Sequence, residues 1–299
     1  MKRTGIIILN WNAAEETIGC VRHLQSFLSE EKTIYVVDNN SAPKDKEKLR
    51  NSGLAAVFIW NDQNLGYAGG NNVGIRRAVS EGHEFILLMN NDARIEEKDF
   101  RLLEQAMATE PNLGIVGPII RDKPGGAILN AGGRDIGRHY ISHFKTPVQS
   151  DALYDVAYVS GTVCLLRASL FDLIGLLDED FFFSGEVADF CTRARKKMLT
   201  STGYCRITVQ PLASAVHDLS ASHGNRGGIY TYYTVRNRFL YIRKHLRLSI
   251  PILFPYWTAL HLRHTFFCIK EKKKVELQMV LKGLLHGLIG KFGPLAGTA

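Results

Sequence analysis

Residues 84–92 read EFILLMNND, an uninterrupted apolar run that ends in two amides and an acid. A run of this kind, without polar alternation, is typical of a strand that is covered on both faces of a sheet. The same plan occurs at 5–12, which read GIIILNWN, and at 33–41, which read TIYVVDNNS. Polar residues at the ends of parallel strands meet at one edge of the sheet, where open α/β folds bind ligands. The three segments therefore predict an α/β fold with a ligand site at that edge.

The rest of the chain continues this alternation of short apolar runs with amphipathic stretches. We predict strands at 5–9, 33–37, 55–60, 84–89 and 114–120, with order returning at 156–166. We predict helices at 14–28, 71–81, 98–109, 168–174, 186–197 and 229–245, and a mobile loop at 217–228, which is polar and holds three glycines. The expected architecture is a mostly parallel central sheet with helices on both faces, followed by a C-terminal helical extension.

Composition excludes several classes of protein. Of 299 residues, 45% are hydrophobic and 22% are charged, which are ordinary globular values that rule out disorder. Five cysteines are widely scattered without a C-x-x-C pair, which excludes a zinc ribbon and argues against a disulfide scaffold. Reduced thiols in the cytoplasm are the simpler interpretation.

The net charge of +8 is distributed unevenly. Residues 226–274 contain eleven Lys or Arg against one acid, a net +10, whereas residues 1–225 carry −3. A main domain that binds nucleic acid is not expected to have this distribution, so we predict no nucleic-acid partner. The basic charge belongs to the C-terminal quarter of the chain.

That quarter also holds an uncharged stretch, residues 248–262, which Pro251 and Pro255 interrupt. It is shorter than the roughly 20 apolar residues that a membrane-spanning helix needs. Aromatic side chains alternate here with cations, a composition that suits a membrane interface with anionic lipid. We therefore predict peripheral contact with an anionic membrane surface. The alternative is a C-terminal helix pair that packs on the domain and exposes a basic face.

Several polar residues follow predicted strands and are candidates for ligand binding. Asn10, Trp11 and Asn12 come after the first strand, where the amides could hydrogen bond a nucleobase or cap the next helix. Asp38 follows the second strand, and its carboxylate could accept a ring N–H of uracil or thymine, or form an Asx turn. Asp92 could meet a divalent cation held by diphosphate oxygens, or act as a turn residue.

Two further segments carry candidate chemistry. Residues 64–72 read NLGYAGGNN, in which glycines allow a ligand close to the backbone ahead of a helix; neither G-x-G-x-x-G nor a P-loop is present. Farther on, Glu186 and Asp189 lie three residues apart on one predicted helix face, after three phenylalanines that could raise the pKa of a carboxyl group. The alternative for Asp189 is an ion pair with Arg193 one turn later.

These segments, taken in order, resemble glycosyltransferase family 2. The resemblance runs through 6–12, 37–39, 64–67, 90–92, 160–161, 171–175, 178–193, His217 and 232–238, and so covers about residues 4–240. It is similar to the branch that contains rhamnosyltransferases and related cell-surface polysaccharide enzymes. The resemblance implies the Rossmann-like GT-A fold and an inverting transfer from a nucleoside-diphosphate sugar.

The resemblance also implies roles for individual residues and a divalent cation, Mg²⁺ or Mn²⁺. Four groups follow from it: Asn10, Trp11, Asn12 and Asp38 in a nucleobase pocket; Asn64, Gly66 and Asn71 along the ribose and diphosphate; Asn91 and Asp92 at the position of the metal motif; and His217 as a further metal or diphosphate contact. The sequence departs from the family at Val187, where many relatives carry an acid that is assigned as catalytic base. We therefore expect Glu186 to be the base, with Asp189 as the second candidate.

The complete prediction is an inverting, metal-dependent glycosyltransferase, peripheral on the inner face of the plasma membrane. Its donor domain would span residues 1–95, its acceptor and catalytic half 96–225, and its basic helical region 226–299. The acceptor would be a hydroxyl of a saccharide or of a lipid-linked molecule in cell-surface polysaccharide synthesis, and a homo-oligomer remains open. The alternatives are a nucleotidyltransferase of similar fold and a catalytically impaired module that binds sugar or lipid.

Overall fold

The computed structural model describes residues 4–29, 31–201, 203–217 and 227–295. Ten strands form one sheet whose central order is β3-β2-β1-β4-β9-β6-β10-β5, with β7 beside β6 and β8 beside β10. Their bounds are β1 Thr4–Asn10, β2 Lys32–Asp38, β3 Val57–Trp60, β4 Phe85–Asn90, β5 Ala93–Ile95, β6 Leu113–Arg121, β7 Ile128–Asn130, β8 Tyr154–Asp155, β9 Val163–Arg167 and β10 Arg206–His217. Most of the predicted loop and the predicted boundary at 225/226 lie outside the described residues.

The helices follow the strands in a βα alternation through the first half of the chain. They are α1 Ala14–Gln25, α2 Pro43–Arg50, α3 Gly66–Ser80, α4 Glu97–Thr109, α5 Ser169–Ile174, α6 Glu186–Ala194, α7 Gly227–His245, α8 Ile250–Lys270 and α9 Lys274–Ile289. Two buried apolar clusters lie on the opposite faces of the sheet, one including Ile6 and Ile8 and the other including Ile7. Burial on both faces explains why the strands lack polar alternation.

The first four strands are parallel, as the sequence predicts. Asn10 lies opposite Asp38, and Leu9 lies opposite Asn90, so the polar residues that follow β1, β2 and β4 meet at one edge. The second half departs from the prediction because β9 runs antiparallel to both β4 and β6. The whole sheet is therefore mixed.

Strand β10 is the longest strand of the described sheet, and the sequence patterns did not predict it. It contains Pro211, and its register with β6 shifts between Gln210 and Ser214. Proline has no N–H to donate to a neighbouring strand, so a strand containing it usually carries an irregularity there. This irregularity hides the strand pattern in the sequence, yet β10 carries His217 to the sheet edge.

The C-terminal helices pack on one another and on the domain. Gly283 and Gly287 of α9 allow close packing on α7, because an added Cβ would lie 2.7 Å from the carbonyl oxygen of Tyr232 or 2.6 Å from the Phe239 ring. Helix α8 continues through Pro255, so the interruption expected from the prolines is wrong. Among the helices of the described residues, none has the length and apolar character needed to cross a bilayer.

Candidate active site

A cavity of about 590 Å³ opens at the sheet edge where the strand ends meet. Strand ends and connecting segments contribute Asn90, Gly161, Thr162 and His217 to its lining. The first turn of α3 contributes Tyr67, and the first residues of α6 contribute Glu186 and Val187. One face of α7 forms another wall, through Tyr230, Thr234, Asn237 and Arg238. The predicted C-terminal region therefore takes part in the cleft, since α7 builds one of its walls.

Glu186 is the acid that the structure places in this cleft. Glu186 is the first residue of α6 and is 5% exposed. Its Oε2 atom is buried without a hydrogen-bond partner. Burial raises the pKa of Glu186 to about 7. A carboxyl group with a pKa close to neutrality suits a general base, because it can both lose and accept a proton at physiological pH.

The segment that leads to Glu186 has an unusual backbone. Phe182, Ser184 and Gly185 have φ values of 60°, 70° and 101°, which lie in the left-handed region. For the non-glycine residues Phe182 and Ser184 this conformation costs about 1–3 kcal/mol each and persists only where the surrounding structure enforces it. Contacts with α7 hold this segment, which we call the base loop, residues 182–185.

Two residues of α7 supply these contacts. The side-chain nitrogen of Asn237, Nδ2, lies 2.9, 2.9 and 2.6 Å from the carbonyl oxygens of Phe181, Phe183 and Ser184. Arg236 is fully buried, and its Nη2 atom donates to the carbonyl oxygens of Asp180 and Phe181 at 2.8 and 2.9 Å. The Arg236 Nε atom also donates to Asn237 Oδ1 at 2.8 Å. Both residues lie in the segment 232–238 that resembles the family, but their sequence alone indicates no role for them.

Asp189, the second candidate base, lies outside the cleft lining. Its carboxylate is fully buried and accepts from Arg193 Nε at 2.8 Å and from His245 Nε2 at 2.7 Å, with Lys244 Nζ at 3.7 Å. This is the ion-pair alternative that the i,i+4 spacing offered. Both oxygens are engaged by neighbouring side chains, so the geometry gives Asp189 no access to an acceptor hydroxyl.

The predicted metal ligands Asp92 and His217 come together in space. Strands β5 and β10 pair antiparallel with His217 opposite Ala93, which brings the imidazole beside Asp92. His217 Nε2 lies 3.2 Å from Asp92 Oδ1, and both side chains are largely buried. A contact between positions 125 residues apart in sequence depends on β10, which the sequence pattern did not reveal.

This pair suits a divalent cation. Two neighbouring ligands of an octahedral ion with bonds of about 2.1 Å lie about 3 Å apart. The separation of 3.2 Å between His217 Nε2 and Asp92 Oδ1 matches that spacing. Because the protein would supply only these two ligands, the remaining positions around the cation would be left for diphosphate oxygens and water. The donor set therefore fits the expected Mg²⁺ or Mn²⁺.

Asn10 and Asp38 meet, but they face the protein interior. Both are fully buried, and Asn10 Nδ2 donates to Asp38 Oδ1 at 2.8 Å. Asp38 Oδ2 accepts from the backbone N–H of Ser41 at 3.1 Å, which is the local turn contact offered as the alternative. In this arrangement their polar atoms bond to one another and to Ser41, so the predicted contact with a nucleobase would require these hydrogen bonds to change.

Trp11 and Asn12 lie on the outer side of the same corner. Trp11 is 46% exposed, as a residue that stacks on a planar ring needs to be. Asn12 adopts a φ of 53°, and its side-chain oxygen accepts from the backbone N–H of Ala42 at 2.7 Å. The capping alternative fails for α1, whose N-terminal residue Ala14 donates to Asp45 instead.

The glycine-rich segment differs from its expected position. Helix α3 begins at Gly66, five residues earlier than predicted, and the Phe182 carbonyl oxygen accepts from the Tyr67 N–H at 2.6 Å. A protein carbonyl therefore covers this helix end, where a diphosphate was expected. Asn71 is buried, and its side-chain amide donates to the Tyr67 carbonyl oxygen. The side-chain oxygen of Asn64 accepts from the backbone N–H of Gly66. As placed, all three stabilise the start of α3.

Asn91 also differs from the expected nucleotide contact. Its side chain is 8% exposed, and its amide donates to Thr17 Oγ1 at 2.9 Å. The preceding residue, Asn90, lines the cleft instead. Side chains alternate along an extended segment, so adjacent amides point to opposite sides.

Tyr67 is a further cleft residue that sequence reasoning missed. Its hydroxyl donates to the Gly161 carbonyl oxygen at 2.7 Å, and burial raises its pKa well above the usual value. Tyr67 therefore enters the cleft as a neutral hydroxyl that ties α3 to the segment before β9. Val187, at the position of the missing acid, packs in the apolar cluster that contains Ile7, close to Gly161.

Comparison with known sequences gives a consistent result. A family model described as glycosyl transferase family 2 matches residues 5–184. The low-salt glycan biosynthesis hexosyltransferase Agl10 of Haloferax volcanii is 28% identical over 96% of this chain and 92% of its own length. The dTDP-rhamnosyl transferase RfbF of Shigella flexneri is 26% identical over 87% of each chain.

Solved structures confirm the expected GT-A fold. The mannosyltransferase PcManGT of Pyrobaculum calidifontis, solved with GDP-Man and Mn²⁺, superposes with a TM-score of 0.60 at 15% identity, over 97% of this chain and 88% of that one. GalNAc-T7, solved with UDP, GalNAc and Mn²⁺, gives a TM-score of 0.58 at 13% identity over 73% of this chain, which spans 44% of that protein.

Proposed function

The chain belongs to glycosyl transferase family 2, and from this premise we propose that it is an inverting glycosyltransferase. The donor would be a nucleoside-diphosphate sugar, and the acceptor a hydroxyl of a saccharide or of a lipid-linked molecule. The observation that carries this proposal is that Glu186 and His217 line one cavity. A carboxylate with one unpartnered oxygen, Oε2, thus shares the cleft with the histidine of the predicted metal pair.

The proposed reaction is a single displacement at the anomeric carbon. Glu186 accepts the proton of the acceptor hydroxyl as its oxygen forms a bond to that carbon. The bond from the anomeric carbon to the diphosphate oxygen breaks on the opposite face, and the diphosphate leaves with the electron pair. A divalent cation held by Asp92 and His217 would supply positive charge beside the departing oxygens.

The environment of Glu186 supports this role. Burial favours its neutral form, so the carboxylate holds a proton more readily than a solvent-exposed glutamate does. The base loop fixes its main chain through Asn237, which limits the reorganisation needed when the hydroxyl reacts. Asp189, by contrast, is neutralised by cations and positions α6 against α7.

We propose a hexosyl donor of the kind used by the relatives, with dTDP-rhamnose as the first candidate because RfbF is a dTDP-rhamnosyl transferase. The family match favours sugar transfer over the nucleotidyltransferase alternative. Val187 supports the alternative of an impaired module, but the free Oε2 atom of Glu186 argues for a working base.

The direct test is turnover of the donor without an added acceptor. Purified protein is incubated with dTDP-rhamnose, UDP-glucose or GDP-mannose and Mn²⁺ or Mg²⁺, and release of nucleoside diphosphate is followed. We expect slow hydrolysis of one donor, stimulated by the metal and lost on chelation. Binding of a nucleotide sugar without hydrolysis or transfer to any glycan acceptor would identify a binding module instead.

We also propose that α8 and α9 contact the anionic surface of the inner face of the plasma membrane. Large apolar side chains are exposed along these helices: Ile252, Tyr256, Leu262, Phe266, Phe267, Ile269, Val275, Leu281, Leu285 and Ile289. A concentration of exposed apolar side chains on two consecutive helices indicates a surface that binds a membrane or another protein.

The charges beside these side chains favour lipid as that partner. The turn between α8 and α9 exposes four lysines, Lys270, Lys272, Lys273 and Lys274. Two arginines are also exposed: Arg247 just before α8 and Arg263 within it. Each such cation is worth about 1 kcal/mol near an anionic surface. A second copy of this chain would bring the same charges together, which disfavours a homo-oligomer through this face.

A further inference from the structure

Helix α7 presents a polar stripe to the cleft. Tyr230, Thr234 and Arg238 are spaced four residues apart, so they share one helix face, and all three line the cavity. None of them has a role in the mechanism proposed above. Two of them carry polar atoms that lack a partner within the protein.

Arg238 is a cation without a counter-ion. Its Nη1 atom donates to the His139 carbonyl oxygen at 3.0 Å, and its Nε atom is buried without an acceptor. Among the described residues, no carboxylate forms an ion pair with it. Burial lowers the pKa of Arg238 to about 10. A partly buried guanidinium with no anion beside it carries an uncompensated desolvation cost, which a bound anion would offset.

The guanidinium is also held in position. Its central carbon lies 3.7 Å from the centre of the Trp257 ring, a cation–π contact that fixes the plane of the group. Trp257 is fully buried, and its Nε1 atom donates to the Gly137 carbonyl oxygen at 2.7 Å. The cation is therefore preorganised, as a specific binding group needs to be.

Thr234 lies one turn before Arg238. In a helix interior a threonine hydroxyl usually bonds back to the carbonyl oxygen three or four residues earlier. The buried Oγ1 atom of Thr234 makes no hydrogen bond. A hydroxyl donor and a guanidinium thus stand together on one wall of the cleft.

We propose that Arg238 and Thr234 form a subsite for a phosphate group on the acceptor. Arginine binds phosphate through parallel hydrogen bonds, and a neighbouring hydroxyl adds a further donor. The inference rests on the proposed function in that the phosphate belongs to the molecule whose hydroxyl reaches Glu186.

The position of α8 identifies the source of this phosphate. Trp257, which stacks on Arg238, lies in α8, and the exposed apolar residues Ile252 and Tyr256 occupy the same part of that helix. A phosphate at Arg238 would have this apolar surface nearby for a hydrocarbon chain. We therefore assign the subsite to a lipid-linked phosphate, with a soluble sugar phosphate as the other source of the same chemistry.

The test compares probes that differ by the phosphate alone. Equilibrium binding of farnesyl phosphate and farnesol is measured with the full chain, and galactose 1-phosphate serves as the soluble arm. We expect farnesyl phosphate to bind at least about tenfold more tightly than farnesol, because hydrogen bonds to a charged group carry that difference. Tighter binding of galactose 1-phosphate than of farnesyl phosphate would overturn the lipid assignment. Equal binding of farnesyl phosphate and farnesol would overturn the phosphate subsite.

The variants separate a specific site from general attraction to cations. Arg238→Gln should remove the preference for farnesyl phosphate, and Thr234→Val, which removes only the hydroxyl, should reduce it by a few fold. Arg76→Gln removes the same charge from an exposed position of α3, outside the cavity lining, and should preserve the preference. Equal losses in Arg238→Gln and Arg76→Gln would refute the subsite, and Thr234→Val tests it independently if the Arg238 variant does not fold.

Donor hydrolysis by the unmodified protein separates the two proposals. If hydrolysis occurs and farnesol binds as well as farnesyl phosphate, the subsite is wrong and the glycosyltransferase proposal stands. If no donor is hydrolysed or transferred but binding is selective for phosphate, the glycosyltransferase proposal fails and the subsite remains.

Discussion

The side-chain amide nitrogen of Asn237 lies 2.6 Å from the carbonyl oxygen of Ser184, two residues before Glu186. This contact joins α7 to the base loop, whose residues Phe182, Ser184 and Gly185 have positive φ values. The same loop covers the start of α3 through the Phe182 carbonyl oxygen. Asn237 therefore connects three elements around the cleft and acts as a positioning residue for Glu186.

We expect Asn237→Ala to impair catalysis through the loop. The change leaves buried carbonyl groups without a donor, at a cost of about 1–3 kcal/mol in the free energy of unfolding. The kcat should fall with little change in KM for the donor, and the apparent pKa of activity should shift, because the surroundings of Glu186 change. A variant with lower stability but unchanged kcat and pH profile would show that Asn237 is merely structural.

The two candidate bases should respond differently to loss of charge. Glu186→Gln should lower kcat by at least about 10²-fold with donor affinity retained, as expected for removal of a general base. Asp189→Asn should chiefly destabilise the fold, by about 3–5 kcal/mol, because it leaves Arg193 and His245 without their anion. Steady-state kinetics with thermal denaturation distinguishes them, and a larger kcat effect in a folded Asp189→Asn would reverse the assignment.

The raised pKa of Glu186 makes activity and stability depend on pH in opposite directions. The ionised form is the base, so kcat/KM should rise as pH passes through about 7. For stability, the folded-state pKa of about 7 exceeds the ordinary glutamate value of 4.5, so the folded protein binds this proton more tightly than the unfolded chain does. The stabilisation is complete below pH 4.5 and is lost as pH rises toward 7. Relative to the unmodified protein, Glu186→Gln should therefore gain in melting temperature between pH 5 and pH 8; a constant difference would contradict the burial effect.

The metal pair can be tested by binding alone. Asp92→Asn and His217→Gln should each weaken Mn²⁺-dependent binding of UDP or dTDP by at least about tenfold, because two or three ligands share the cation. Binding without metal should change little. Asp155→Asn is a matched control, since its carboxylate pairs with Arg206 at the surface. Calorimetric titration that finds equal metal dependence in all four proteins would reject the site.

Membrane contact should need both apolar and basic side chains. Ile252→Ser with Phe266→Ser should reduce co-sedimentation with vesicles of anionic lipid. Lys270→Glu with Lys272→Glu should also reduce it, most strongly at low salt, because salt screens the attraction of these lysines to the lipid. Leu173→Ser changes an exposed leucine of α5 and serves as control. Deletion from Arg247 onward is a poorer test, because α9 covers Val235 and Phe239 of α7. Vesicle binding that ignores lipid charge, or concentration-dependent dimerisation without it, would favour a protein interface instead.

Local sequence patterns predicted much of the fold. The apolar runs at 5–9, 33–37 and 84–89 became β1, β2 and β4, because strands buried on both faces must be apolar throughout. The order of polar residues after these strands also predicted the family correctly. The patterns failed at β10, where Pro211 disturbs the register, and at α8, which tolerates Pro255.

The sequence by itself determined the residue types that the site contains, an acid at 92, a histidine at 217 and a carboxyl group at 186. Only the tertiary structure decided which of them share a cleft. The direction and burial of a side chain depend on contacts between segments that are distant in the sequence. Antiparallel pairing of β5 with β10 places His217 beside Asp92. A hydrogen bond between His245 and Asp189 joins α7 to α6 and occupies a carboxylate oxygen of Asp189. Asn10, Asp38 and Asn71 carry suitable groups, yet their hydrogen-bonding capacity is spent inside the protein, because buried polar atoms must find partners there.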